Sequence, residues 1–137
     1  MKRHSGHPNR LFDPVRKKWV QENPEEWVRQ CLVLMLREEY GIPMSRMAVE
    51  KQIEVHGLKK RFDLVIYDRL GQPFVLIECK APEIPIRQAL FDQAAVYNFR
   101  LKAPYLGITN GHQLILAAIS FDSSDFAFIA SLPAYPF

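Results

Sequence analysis

Between Arg61 and Pro82 the chain reads RFDLVIYDRLGQPFVLIECKAP, two apolar runs of strand length joined by the turn residues Leu70, Gly71, Gln72 and Pro73. Each run carries acid where a buried strand should have none. A period of two puts Asp63 with Arg61, Val65 and Tyr67 on one face, and Phe62, Leu64 and Ile66 on the other. In the second run Glu78 and Lys80 share a face opposite Val75, Ile77 and Cys79. Paired as a hairpin, the two runs bring Asp63, Glu78 and Lys80 together at one end of a sheet. Ionised groups inside a sheet persist only when paired with each other or with a metal. Two hard oxygen ligands with space for water and phosphate suit Mg²⁺ better than zinc. A salt bridge from Lys80 to Glu78 or Asp63 at a strand end fits the same pattern.

Asp63, a gap of fourteen residues, then Glu78, Cys79 and Lys80 resembles the D…ExK core of the PD-(D/E)xK nuclease superfamily. RFDLVIYD followed by IECKAP resembles the N-terminal nuclease domain of type I restriction enzyme R subunits, in its small stand-alone bacterial form. The resemblance runs from about Phe12 to the end, with Phe62 standing where the superfamily name has proline. It implies a restriction-endonuclease-like α/β fold with an αβββαβ core. It also implies a nuclease that hydrolyses DNA with Mg²⁺, or with Mn²⁺ as a substitute. Asp63, Glu78 and the backbone carbonyl of Cys79 would hold the metal. Lys80 would position the nucleophile or stabilise the transition state.

Ahead of this stretch, Asn23 caps a helix that has Pro24 at its first position, Glu25 and Glu26 in its first turn, and Gly41 and Pro43 at its end. Val28, Cys31, Leu32, Met35 and Leu36 form its apolar stripe. Glu25 lies one turn before Val28, and Glu26 falls nearly opposite with Arg29 and Val33, toward solvent. Relatives in the superfamily often take a further metal ligand from the first helix. PEEWVRQ looks like that motif, with Glu25 in the role, or both glutamates simply stabilise the helix start.

Met47 to Val55 reads as a strand near a sheet edge, with Glu50 at its surface or joining the metal site. A turn at His56, Gly57 and Leu58 leads into Lys59, Lys60 and Arg61, a basic cluster suited to nucleic-acid phosphate. After Pro82 a helix is expected over Ile86 to Leu101, with Leu90, Gln93, Ala94 and Tyr97 on one face. Gln93 and Tyr97 resemble the QxxxY element of many relatives, including the exonuclease family associated with recombination helicases, where it lines the substrate path. Tyr97 equally suits plain core packing. Pro104 to Thr109 reads as a strand parallel to its neighbour, and Asn110 and Gly111 turn the chain into an antiparallel return over His112 to Ile119. A short helix is expected over Asp122 to Leu132.

Residues 1 to 18 carry six basic side chains against Asp13, a balance of +5, so the net +3 leaves −2 for the rest. Residues 1 to 10 read as a basic arm, suited to phosphate or simply a solvated tail, before a single domain over 11 to 137. Leu11 to Val20 reads as a short edge strand limited by Pro14. At 137 residues, 48% hydrophobic, one domain can build a real core. Leu114 to Ile119 is too short an apolar run to span a bilayer and no signal segment is seen, so a cytoplasmic protein without membrane contact is expected. Cys31 and Cys79 read as free buried thiols. No GxxxxGK[ST] motif occurs, so a helicase or translocase motor would come from a separate subunit. A homodimer would allow both strands of a duplex to be cut. A non-catalytic nucleic-acid-binding module and a partner subunit of a restriction or repair complex stand as alternatives.

Overall fold

The structure is a computed structural model that describes residues 1–136. Eight strands and two α-helices follow in the order β1(Arg10–Asp13), β2(Lys18–Gln21), α1(Pro24–Tyr40), β3(Met47–Val55), β4(Leu58–Tyr67), β5(Pro73–Cys79), α2(Gln88–Leu101), β6(Tyr105–Thr109), β7(Leu114–Ser120) and β8(Asp125–Ile129), with a 3-10 turn at Met44–Arg46 ahead of β3. Strands β3 to β8 form one six-stranded sheet in sequence order, and β1 pairs with β2 in a separate two-stranded sheet. All neighbours in the large sheet are antiparallel except β5 and β6, which run parallel across α2.

Helix α1 begins where Asn23 Oδ1 accepts from the Glu26 amide at 2.7 Å, a cap worth about 1 kcal/mol. It ends at Gly41, whose left-handed backbone (φ 66) lets its amide reach the Leu36 carbonyl. Val28, Leu32 and Leu36 pack with Leu64, Ile66, Val75 and Ile77 on one side of the sheet. On the other side Phe91 and Ala94 of α2 pack with Phe62, Val65, Leu76 and Leu106. The sheet is therefore covered on both faces, as its nearly continuous apolar central strands require.

Four expectations are corrected. Leu11 to Val20 is a hairpin, because the turn through Pro14 to Lys17 is closed by Asp13 Oδ1 accepting from the amides of Val15 and Arg16. Where a helix was expected over Asp122 to Leu132, Asp125–Ile129 form the strand β8, since the open edge of β7 pairs with them after a turn at Ser124 (φ 53). Cys31 is exposed and Cys79 buried, both free, because Cys31 lies at the border of the α1 stripe. Phe62 packs beneath α2 with Val65, not with Leu64 and Ile66. The β3–β4 ladder pairs Val49 with Leu64 and Lys51 with Phe62 but skips the rung between them, where Glu50 has left-handed backbone (φ 56). The alternation of β4 resets there, at Asp63.

The carboxyl-terminal segment returns over the sheet. Leu132 and Tyr135 are buried, and Tyr135 Oη donates to the Tyr67 carbonyl at 2.5 Å. Arg3 forms a β-bridge with Leu11 and an ion pair with Glu22. Phe137 lies outside the described residues. No helix among the described residues is long and apolar enough to cross a membrane.

Candidate nuclease site

Leu64 of β4 pairs with Ile77 of β5, so the next positions outward are Asp63 and Glu78. Asp63 Oδ2 accepts from the Cys79 amide at 2.8 Å, and its carboxylate shares a hydrogen bond with Glu78. Burial acts to raise the Asp63 pKa, yet hydrogen bonds from Glu78, Arg29 and the Cys79 amide outweigh it and hold the group below its ordinary value. Glu78 goes the other way. Burial first, then the adjacent Asp63 carboxylate, pushes its carboxyl up to about 9, against smaller opposing effects of Lys60 and Lys80. One of two touching carboxyls is thus held protonated.

Lys80 is registered by β6 through its amide, which donates to the Thr109 carbonyl at 2.8 Å. The loop beyond it is held by Asn110, whose Nδ2 donates to the Ile84 carbonyl at 2.9 Å. Lys60, Glu78, Lys80, Gln93 and Tyr97 then line a single small cleft beneath α2. Lys60 Nζ lies 4.8 Å from the centre of the Tyr97 ring. Of the expected basic cluster, only Lys60 reaches this cleft: Lys59 is exposed opposite Glu54, and Arg61 pairs with Glu50 at 3.1 Å. Cys79 turns its thiol into the α1-side core, where burial raises its pKa.

A second, larger cleft of about 590 Å³ lies on the α1 side, lined by Arg16, Trp19, Glu25, Arg29, Glu50 and Ala81 among others. Asp63 is bonded to residues of both clefts. Glu25 stands at the mouth of this one with its side chain 48% exposed. Burial and the charge of Asp63 raise its pKa. Glu26, expected to face solvent, is 4% exposed and paired with Arg16 and Arg29. The hairpin turn that carries Arg16 covers that side of α1, and the local periodicity of a helix holds no record of such a neighbour.

Arg29 was not foreseen. Its guanidinium reaches Asp63 at 2.8 Å, Glu26 at 3.0 Å, and Glu25 and Glu50 at 3.3 Å. Its Nε is buried with no hydrogen-bond partner among the described residues. Arginine three and four residues after two glutamates on one helix is the sequence signal that could have found it. Glu50, given as a surface residue or a site member, joins the site by bridging Arg29 and Arg61.

Among the described residues no group of three or more His, Cys, Asp and Glu side chains gathers at metal-holding geometry. The carboxyl pair still fits a hard divalent cation in donor type. Both groups are oxygen donors, mostly withdrawn from water, and the proton they share neutralises charge that a cation would otherwise balance.

Comparison with known proteins bears on most of the chain. A family model for the type I restriction enzyme R protein N terminus matches residues 24–133. A solved fragment described as an HsdR subunit of a type I restriction enzyme from Vibrio vulnificus YJ016 superposes with a TM-score of 0.59 at 18% identity. It covers 82% of this chain, while this chain spans 24% of that one. Among curated proteins none matches. The mixed sheet flanked by two helices agrees with that neighbour's fold, and the family match takes in α1 and all six strands of the large sheet. The chain belongs to the family of type I restriction enzyme R protein N termini.

Proposed function

We propose that this chain is a metal-dependent nuclease domain that hydrolyses phosphodiester bonds in DNA. The observation that carries the reading is the contact of Asp63 with Glu78 at the β4–β5 strand ends, with Lys80 and Lys60 beside Glu78 in one cleft. Asp63, Glu78, the Cys79 carbonyl and Glu25 are the groups that would hold Mg²⁺, or Mn²⁺ in its place. When bound, such an ion supplies charge stabilisation at the scissile phosphate and a water of lowered pKa. The chain's own part is positional. The Cys79 amide and Arg29 fix the Asp63 carboxylate in one rotamer. Lys80, anchored through Thr109, presents its ammonium where the attacking water is oriented or charge builds on phosphate. Lys60 and Gln93 line the same cleft and would contact the strand, with Tyr97 supporting Lys60.

Family membership supports a role beside the other subunits of a restriction complex, and a motor subunit and a second copy are the partners we propose. A metal-free binding module is favoured by one observation: Arg29 already occupies an Asp63 oxygen. Incubating plasmid, linear, single-stranded and branched DNA, and RNA, with Mg²⁺ or Mn²⁺ separates the readings. Cutting that chelator and Asp63→Ala both abolish is the expected result. Metal-independent binding by wild type and Asp63→Ala alike, without cutting, would leave the binding module standing.

A further inference from the structure

The hairpin ahead of α1 has two unlike faces. Leu11 and Val20 are paired in register and buried, while Phe12 and Trp19 are paired on the outward face with rings edge-on at 5.3 Å. The amino-terminal segment lays Lys2 over both rings, its Nζ 5.5 Å from the Phe12 centroid and 5.7 Å from that of Trp19. Trp19 and Lys18 also line the cleft of about 590 Å³ that contains Glu25, Arg29 and Glu50, so the aromatic face runs on into the candidate site. Charge follows the same path. Arg3 and Arg16 are neutralised by Glu22, Asp13 and Glu26. Lys2, Arg10, Lys17 and Lys18 take part in none of the ion pairs found among the described residues.

We propose that this hairpin face is a binding site for a single-stranded polynucleotide. Unpaired bases stack on Trp19 and Phe12, and Lys2, Arg10, Lys17 and Lys18 neutralise the phosphates. The inference deepens the nuclease reading and rests on it for the class of ligand. A duplex keeps its base faces inside its own stack, so rings beside free cations suit an unpaired strand. The rings are half-buried, with the His4 ring edge-on to Trp19 at 4.7 Å, and a cation over a ring is held more weakly than a stacked base, so an incoming base displaces Lys2 and His4 and leaves the Lys2 ammonium for phosphate. The strand so held would lie along the cleft lined by Arg29, whose guanidinium bonds Asp63.

The test is fluorescence anisotropy of the full chain with short labelled single strands of DNA and of RNA, and with a duplex of equal length, in chelator so that nothing is cut. Single strands are expected to bind more tightly than duplex. Trp19→Ala should weaken that binding roughly tenfold, Trp19→Phe should keep most of it, and Lys17→Gln with Lys18→Gln should reduce its salt dependence. In Trp27→Phe protein, quenching of the remaining Trp19 emission by unlabelled strand reports stacking without altering the ring. Absent quenching, tighter duplex binding, or equal affinity in Trp19→Ala overturns the site, and the DNA and RNA arms decide which sugar it takes. Cleavage is scored separately. Cutting with Trp19-independent binding overturns the hairpin site alone, whereas Trp19-dependent binding without cutting overturns the nuclease reading alone.

Discussion

Arg29 Nη2 donates to Asp63 Oδ1 at 2.8 Å, joining the first helix to the kinked strand 34 residues later. The guanidinium is 4% exposed and surrounded by Glu25, Glu26, Glu50 and Asp63, so its removal would leave buried acid without a counter-charge. Breaking a buried pair from one side costs about 3–5 kcal/mol. Arg29→Ala is therefore expected to lower unfolding free energy by about that amount in urea titration. Arg29→Lys, which keeps the charge but loses the planar fork, should recover only part of it. Wild-type stability in Arg29→Ala would mean that the four carboxylates have another source of compensation.

The two glutamates of the first helical turn should separate cleanly. Glu26 is buried against Arg16 and Arg29, and Glu26→Ala should cost about 1–3 kcal/mol. Glu25 has a side chain 48% exposed and only a 3.3 Å contact with Arg29, so Glu25→Ala should change stability by about 0.5 kcal/mol or less. Its effect should appear instead in the Mg²⁺ concentration needed for cleavage. Thermal melts and metal titrations of both variants provide the comparison. Equal melting losses would show that burial does not distinguish them.

Glu78 supplies a pH signature. Its folded-state pKa is raised from 4.5 to about 9, so the fold holds the protonated form. That contribution is fully present below 4.5 and is lost as pH rises through about 9, with a slope of at most about 1.4 kcal/mol per pH unit. Asp63 has the opposite sign, since its depressed pKa gives stability that is present above its ordinary value and lost as pH falls through the folded one. Between pH 5 and about 8, metal-free wild type should lose stability with rising pH, and Glu78→Gln should flatten the trend. Denaturant midpoints in chelator across that range are the measurement, and a slope unchanged in Glu78→Gln would move its cause elsewhere.

Lys80 is half-buried and takes part in none of the ion pairs found among the described residues, and its backbone amide bonds the Thr109 carbonyl. Lys80→Ala should consequently fold and melt like wild type while cutting about 10²–10³-fold more slowly. Lys60→Ala should act mainly on DNA affinity and its salt dependence, since Lys60 lines the cleft without a bond to either carboxylate among those found. Undiminished cleavage by Lys80→Ala would remove that residue from the reaction.

The local chemistry of the chain was enough for most of the frame. Asn23 and Pro24 start α1, Gly41 ends it, and the apolar runs on either side of Gly71 pair as β4 and β5, while the β6–β7 return expected to turn at Asn110 and Gly111 takes four residues, Asn110 to Gln113, with Asn110 Oδ1 accepting from the amides of His112 and Gln113. Each of these rests on interactions within a few residues or on a period that side chains carry along the strand. The period of β5 put Glu78 and Lys80 on one face, the β4–β5 pairing set Asp63 beside Glu78, and helical spacing brought Gln93 and Tyr97 to the cleft of Glu78 and Lys80.

What failed to show in the sequence depended on neighbours distant along it. Glu26 reads as a solvent-facing residue until the turn carrying Arg16 folds over it. Period two places Phe62 with Leu64, and only the left-handed backbone of Glu50 on the adjoining strand resets that alternation at Asp63. Residues 122 to 132 have no strong local preference, and the unpaired edge of β7 makes Asp125–Ile129 a strand. Arg29 is the clearest case. A helix period can say which residues lie beside it on α1, but a buried charge is tolerated only where several elements supply its counter-charges, and that condition exists once α1, β3 and β4 have met.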